Sequence, residues 1–131
     1  MTIDLKTATD IAKSYTAAWN SKSPAAVASF FAEDGVVVIN RGDPWSGRAR
    51  VADMAAGFYA DVPDLVLTCD DLRVSGTHVV HVWTFTGHHS GTGRPLTVRG
   101  WEEWDLDADH KVTASRGWYD GADYVRQVEG G

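Results

Sequence analysis

The chain has 131 residues, enough for one domain with a sizeable core, and 44% of them are apolar. The formal net charge is −6, from 12 basic and 18 acidic residues, and the arginines are scattered rather than clustered. This distribution argues against a nucleic-acid partner and against an anionic membrane surface, because both need a concentrated positive face.

The cysteine content and the N-terminus favour a cytoplasmic protein. Cys69 is the single cysteine, so no intrachain disulfide can form, which suits a reducing compartment. The first ten residues, MTIDLKTATD, lack the apolar segment of a signal peptide, and no apolar run approaches the length of a membrane span. We therefore expect a cytoplasmic protein that forms one domain over residues 1–131.

Apolar spacing in the first half of the chain predicts three helices, over 7–20, 24–31 and 48–60. Tyr15 and Trp19 belong to the apolar stripe of the first helix, and Met54 and Phe58 to that of the third. The second helix ends at the breakers Glu-Asp-Gly, and a β-branched strand follows at 36–40. A loop rich in breaker residues separates that strand from the third helix.

The second half changes to the alternation of apolar and polar residues that is typical of strands. The predicted strands cover 65–75, 78–88, 96–106 and 111–120. Helices followed by such a meander indicate an α+β fold, in which a cone-shaped, curved antiparallel sheet wraps over the three N-terminal helices. The mouth of such a cone is a natural site for a small molecule.

Strand alternation identifies an acid that points into the cone. Trp104 and Leu106 are the better core pair in the predicted strand 96–106, so Glu102 shares their inner face while Trp101 and Glu103 lie outside. A carboxyl group walled by aromatic rings is poorly solvated, so its pKa rises and it can donate a proton at neutral pH. The alternative is an outward Glu102 that pairs with an arginine at the rim.

The same alternation places His81 and Trp83 on the inner face of 78–88. The ordinary pKa of histidine suits a catalytic base, although a half-buried structural histidine is the commoner arrangement. His88 and His89 are adjacent in a strand and point to opposite faces, so they cannot chelate one metal ion together. We expect no metal and no cofactor.

Three stretches carry a resemblance to a known family: YTAAWNSKSPAAVASFFAEDGVVV, WTFTGHHSGTGRP and GWEEWDLDADHKVTASRGWYDGADYVRQ. Together they resemble the SnoaL-like, polyketide cyclase-like proteins of the nuclear transport factor 2-like superfamily. The resemblance implies the conical α+β fold, a pocket for an apolar small molecule and a homodimer through the outer sheet face, where Trp101 needs cover. It does not fix the reaction, because this fold hosts isomerases, cyclases, dehydratases, epoxide hydrolases and binding modules.

The resemblance assigns roles to individual residues. Tyr15 matches the tyrosine that polarises the substrate oxygen in ketosteroid isomerases, and Glu102 resembles their proton-donating acid. The two would form an oxyanion hole, with His81 as the base; the alternative for Tyr15 is a core position with its hydroxyl at the pocket lip. Asp120 matches an aspartate common in SnoaL-like sequences, which acts either in catalysis or as the N-cap of the terminal segment.

The chain departs from the family enzymes at two positions. The catalytic base of the isomerases matches Ile39, beside Asn40, and the aspartate of the cyclases and epoxide hydrolases matches Gly117. Neither position carries a carboxylate. These losses favour the alternative of a non-catalytic module that binds a small molecule or dimerises.

The resemblance also orients the last strand, for which alternation alone favours burying Arg116 and Trp118. It implies that Ser115, Gly117 and Tyr119 face the pocket instead; a bulge would change the orientation. The expected ligand pocket, with Trp45 as a lid, consists of Trp19, Asn40, Trp45, Met54, Phe58, Trp83, Trp104, Ser115 and Tyr119. We expect a cofactor-independent acid/base enzyme, a cyclase, isomerase or dehydratase that acts on an apolar ring with a carbonyl group.

Overall fold

The computed structural model describes residues 2–130, which form four α-helices and six β-strands. The helices are α1 (Leu5–Asn20), α2 (Pro24–Ala28), α3 (Arg48–Asp61) and α4 (Gly121–Glu129). The strands are β1 (Phe31–Ile39), β2 (Trp45–Ser46), β3 (Val66–Ser75), β4 (His78–His88), β5 (Pro95–Leu106) and β6 (Val112–Tyr119).

Helix α1 carries aromatic side chains to the interior of the fold. The Asp4 side chain accepts a hydrogen bond from the Thr7 backbone N–H at 2.7 Å, and this cap starts the helix two residues before the predicted position. The buried stripe is the one that the spacing predicts: Ala8, Ala12, Tyr15, Ala18 and Trp19. Tyr15 and Trp19 are therefore directed toward the sheet.

Helix α2 is shorter than the sequence predicts. It begins at Pro24 as expected but ends at Ala28, and Phe31, predicted to be its last residue, begins β1. Residues 33–35, predicted to stop the helix, lie inside that strand, where its register with β6 is irregular. The prediction of a strand confined to 36–40 was wrong because the residues of this irregularity do not continue the β-branched pattern.

The six strands form one sheet in the order β2-β1-β6-β5-β4-β3. Strands β3 to β6 pair antiparallel, and their bounds agree with the predicted strands to within one residue. Strand β1 pairs in parallel with β6, so the sheet is mixed rather than wholly antiparallel as predicted. The short strand β2, in the loop predicted to be irregular, pairs with β1.

A bulge in β6 decides which of its side chains point inward. The partners of β5 jump from Ala114 to Val112, which leaves Thr113 as an extra residue. Val112 and Ser115 are consequently both buried. Simple alternation, which puts these two residues on opposite faces, was wrong at this point.

The expected α+β fold, with a curved sheet wrapped over helices, is confirmed. A fourth helix, α4, follows β6 where the sequence indicated only a capped terminal segment, and it buries none of its residues completely. Within residues 2–130, no helix is long and apolar enough to cross a membrane.

Candidate functional site

A cavity of about 70 Å³ lies between the helices and the concave face of the sheet. Aromatic rings form most of its wall, and neighbouring rings meet edge to face or stacked, with centroids 5.9 Å apart for Trp19 and Phe58 and for Trp83 and Phe85. Among the described residues that line it, Glu102 is the only carboxyl group. The lining residues are Tyr15, Trp19, Val37, Ile39, Met54, Phe58, Leu65, Leu67, Trp83, Phe85, Glu102, Gly117, Trp118 and Tyr119.

Glu102 points into the cone from the middle of β5 and is only 8% exposed. Two hydroxyl groups bind its carboxyl group. The Tyr15 hydroxyl donates to Oε1 at 3.0 Å and is 3.2 Å from Oε2, while the Ser115 hydroxyl donates to Oε2 at 2.5 Å. Helix α1 and strand β6 therefore hold the carboxyl group from two sides.

Burial raises the pKa of Glu102 above its ordinary value of 4.5. The Ser115 hydroxyl, the nearby indole N–H of Trp104 and the Tyr15 hydroxyl act in the opposite direction, because donor groups directed at the carboxyl group favour the anion. The Trp104 N–H acts from nearby without meeting the distance and angle of a hydrogen bond. Desolvation outweighs the three donors, so the net effect is a raised pKa.

The Tyr15 hydroxyl donates its hydrogen bond to Glu102 itself. Burial, and next the charge of Glu102, raise the pKa of Tyr15 well above 10.0, so the phenol keeps its proton and remains a donor. The predicted oxyanion hole needs both groups to converge on a substrate oxygen. Here the phenol proton is directed at the Glu102 carboxyl group, although both residues line the cavity.

His81 lies inside the fold but outside the cavity wall. Its ring is completely buried and stacks on Trp104, with centroids 5.4 Å apart. Nε2 lies 3.4 Å from the Thr16 hydroxyl, and Nδ1 has no hydrogen-bond partner among the described residues. Burial lowers the pKa of His81 to about 4. His81 therefore does not line the pocket in which it was predicted to act as a base. Strand alternation predicts the face of the sheet to which a side chain points, but not whether that side chain reaches the cavity.

Asp120 is also separate from the cavity. Its side chain accepts from the Asp123 backbone N–H at 3.0 Å and caps α4, which is the structural one of its two predicted roles. Asp120 is exposed and is not among the residues that line the cavity.

The expected pocket residues fall into two groups. Those that line the cavity are Trp19, Met54, Phe58, Trp83 and Tyr119. The other four do not line it. Asn40 is exposed and accepts from the Tyr119 N–H at 2.9 Å, and Trp45 lies in β2 under Arg50, so neither covers the cavity as a lid. Trp104 and Ser115 are buried and do not line the cavity, but the Ser115 hydroxyl donates to Glu102, which does.

Six further wall residues were absent from the expected set of pocket residues: Val37, Ile39, Leu65, Leu67, Phe85 and Trp118. Phe85 shares the predicted inner face with Trp83, so its alternation was a usable signal. Ile39 was named only as a position that lacks a carboxylate, yet it forms part of the wall, and Gly117, which the resemblance directs to the pocket, lines it. Within residues 2–130, no three His, Cys, Asp or Glu side chains are grouped in a way that could hold a metal ion.

The sequence pattern of the SnoaL-like domain matches residues 12–115, which include the part of α1 that carries Tyr15 and Trp19, the cavity wall of β3 to β5 and Ser115. The chain belongs to the SnoaL-like family. No curated protein matches it.

Solved structures with the same fold cover almost the whole SnoaL-like chain. A protein from Catenulispora acidiphila with a ketosteroid isomerase-like fold, solved in complex with trimethylamine, is 23% identical, covers 91% of this chain and 92% of its own, and superposes with a TM-score of 0.84. TsrD from Streptomyces laurentii is 21% identical, with coverage of 96% and 97% and a TM-score of 0.83. The epoxide hydrolase/cyclase-like enzyme SalBIII, from pyran ring formation in salinomycin, is 14% identical, with coverage of 92% and 95% and a TM-score of 0.80. At these identities the likeness establishes the fold alone.

Proposed function

We propose that this SnoaL-like protein is a cofactor-independent enzyme that uses Glu102 as a general acid on a small, largely apolar molecule with a carbonyl group. One observation carries the proposal: a buried carboxyl group with a raised pKa forms the acidic point of an otherwise apolar cavity. The reaction is of the cyclase, isomerase or dehydratase type, because these reactions need proton transfer and no redox partner.

The chemistry follows from the contacts of Glu102. The neutral acid donates its proton to the substrate oxygen, and the Tyr15 and Ser115 hydroxyls stabilise the carboxylate that remains. In a cyclisation, a hydroxyl group of the same substrate attacks the activated carbon and returns its proton to Glu102, so one acid completes the cycle. In a dehydration, the protonated hydroxyl leaves as water and the carboxylate takes a proton from the adjacent carbon.

The cavity limits the size of the substrate. Its volume of about 70 Å³ is smaller than the dry cavity of about 150 Å³ that takes up benzene in an engineered lysozyme. A single small ring therefore already requires the aromatic side chains of the wall to move. A multi-ring substrate needs a larger opening, so we propose substrates with one ring or a short chain.

A second candidate is a non-catalytic module that binds a small molecule. It is favoured by the absence of a second acid or base from the described cavity wall, since His81 and Asp120 lie elsewhere. The relative solved with trimethylamine suggests the ligand class, a small alkylammonium ion. Aromatic walls around a carboxylate would suit such a cation, which would bind through cation–π contacts and the charge of Glu102.

One titration separates the two candidates. Cyclopentanone labelled with ¹³C at the carbonyl reports proton donation by Glu102, because its carbonyl resonance moves to higher frequency when the oxygen accepts a strong hydrogen bond. Under the enzyme proposal this shift and the affinity weaken as the pH rises through the Glu102 pKa. Trimethylammonium should bind in the opposite pH direction under the second candidate, because it needs the carboxylate. A Glu102→Gln variant, with Glu103→Gln as the outward control, then tests turnover in a screen of small cyclic ketones and hydroxyketones.

We also propose that the outer face of the sheet forms a homodimer. Trp101 is 43% exposed there and stacks on Trp118, and the two indole N–H groups donate to the same oxygen of Glu103 at 3.4 and 3.2 Å. Arg41 covers the Trp118 ring at 5.5 Å, so the face carries positive as well as negative charge. A face that carries positive and negative charges around an exposed aromatic side chain suits self-association about a twofold axis.

A further inference from the structure

Ile39, Gly117 and Glu102 are direct neighbours across the sheet. Gly117 of β6 is the register partner of Glu102 on one side and of Ile39 on the other. All three line the cavity, so they form a row on the concave face. The middle member has no side chain, which leaves open space immediately beside the Glu102 carboxyl group.

The fold itself does not require glycine at position 117. Its backbone lies outside the positive-φ region, and an added Cβ would meet only Ile39 Cγ1, at an ordinary contact distance of 3.8 Å. Gly100, one inward position away from Glu102 on β5, is different, because a Cβ there would lie 2.2 Å from the Trp118 carbonyl oxygen and 2.7 Å from the Trp83 ring. Gly35 is similarly closed, with the Val112 carbonyl oxygen at 2.7 Å.

A glycine in mid-strand weakens the strand, since it adds backbone freedom to the unfolded chain and buries no side chain. Gly100 and Gly35 have a packing reason that offsets this cost, and Gly117 has none. What Gly117 provides is room in the cavity, at the position that borders the one carboxyl group of the described wall.

We propose that Gly117 determines which ligands fit the site, and that the end of the ligand that contacts Glu102 lies over the Gly117 backbone. The apolar remainder then packs against the aromatic part of the wall, which includes Phe58 and Trp83. This inference rests on the proposed function, because it requires a ligand whose polar end meets Glu102. It adds where the polar end of the ligand lies and how large that end can be. Any branch on the atom next to the polar end must fit in the space that the absent side chain of Gly117 leaves open.

The test compares Gly117→Ala with Gly57→Ala, a matched control in α3. Gly57 is exposed, lies outside the cavity wall and has nothing within 4 Å of an added Cβ. Each variant is titrated with ¹³C-carbonyl cyclopentanone and with trimethylammonium, while the Glu102 carboxyl resonance is followed. Thermal unfolding is measured in parallel, so that loss of binding can be separated from loss of structure.

We expect Gly117→Ala to keep or raise the melting temperature and to weaken binding of the probe by about tenfold or more, the usual effect of one extra methyl group in an occupied pocket. Gly57→Ala should bind like the wild type. If the wild type binds and Gly117→Ala binds equally well, or if Gly117→Ala unfolds at a much lower temperature, the inference is overturned while the proposed function stands. If neither probe moves the Glu102 resonance of the wild type, the proposed function falls and the inference falls with it.

Discussion

The Tyr15 hydroxyl donates to Glu102 Oε1 at 3.0 Å, although 87 positions separate the two residues in the sequence. Helix α1 and strand β5 are thereby joined at the one acidic point of the described cavity wall. Burial raises the pKa of both groups, and Tyr15 keeps its proton, so Glu102 is the member of the pair that the proposal assigns as the proton donor to a molecule in the cavity.

Removing either hydroxyl that binds Glu102 should raise its pKa further. Tyr15→Phe and Ser115→Ala each delete a donor that favours the anion, so less stabilisation opposes the desolvation. Each change should also lower the free energy of unfolding by about 1–2 kcal/mol, the usual effect of losing a buried hydrogen bond. Carboxyl ¹³C NMR measures the pKa. Ser14→Ala, an exposed neighbour in α1, is the control, and a pKa that stays the same or falls in both variants would contradict the contacts described here.

Glu102→Gln should change how stability depends on pH. The folded pKa of Glu102 is raised, so its contribution to stability is fully present below the ordinary value of 4.5 and is lost as the pH rises through the folded pKa. The glutamine variant lacks this loss. Relative to the wild type, it should therefore gain stability from pH 4.5 to pH 8, which urea unfolding at a series of pH values measures. A constant difference between the two proteins across this range would show that Glu102 titrates normally.

His81 should make the protein sensitive to acid in a different way. Burial lowers its pKa from 6.5 to about 4, so the stability that it contributes is present above pH 6.5 and is lost as the pH falls toward 4. The full shift corresponds to roughly 3 kcal/mol. His81→Phe keeps an aromatic ring against Trp104 and should unfold with a weaker pH dependence between 6.5 and 4. His110→Asn, at an exposed turn position, should behave like the wild type, and an unchanged profile for His81→Phe would refute the assignment.

The dimer proposal predicts a clear effect of one charge. Trp101→Lys places an ammonium group at the centre of the outer face, where a second copy would bury it, and should convert a dimer into a monomer. Leu5→Lys introduces the same charge at an exposed site in α1 and should leave the dimer intact. Sedimentation velocity gives the mass of each species. A wild-type protein that is monomeric at about 100 µM would contradict the dimer proposal, because its dissociation constant would then be well above that concentration.

The sequence predicted the sheet well and the site only in part. The strands from β3 onward and the inward orientation of Glu102 follow from alternation, which is reliable where one face is buried. Alternation failed at Thr113, because an extra residue reverses the faces beyond it, and the parallel pairing of β1 with β6 leaves no local signal. The position of His81 behind Trp104 depends on tertiary packing, which a strand pattern does not contain.

The pKa of Glu102 decides whether this buried carboxyl group is suited to act as a general acid. It can be measured by carboxyl ¹³C NMR titration of the wild type, with Glu102→Gln used to assign the resonance. We expect a value above 4.5, because desolvation outweighs the donors from Ser115, Trp104 and Tyr15. A value at or below 4.5 would mean that the carboxyl group is an ordinary anion at neutral pH. The general-acid proposal would then be wrong, and the cation-binding alternative would account better for the same cavity.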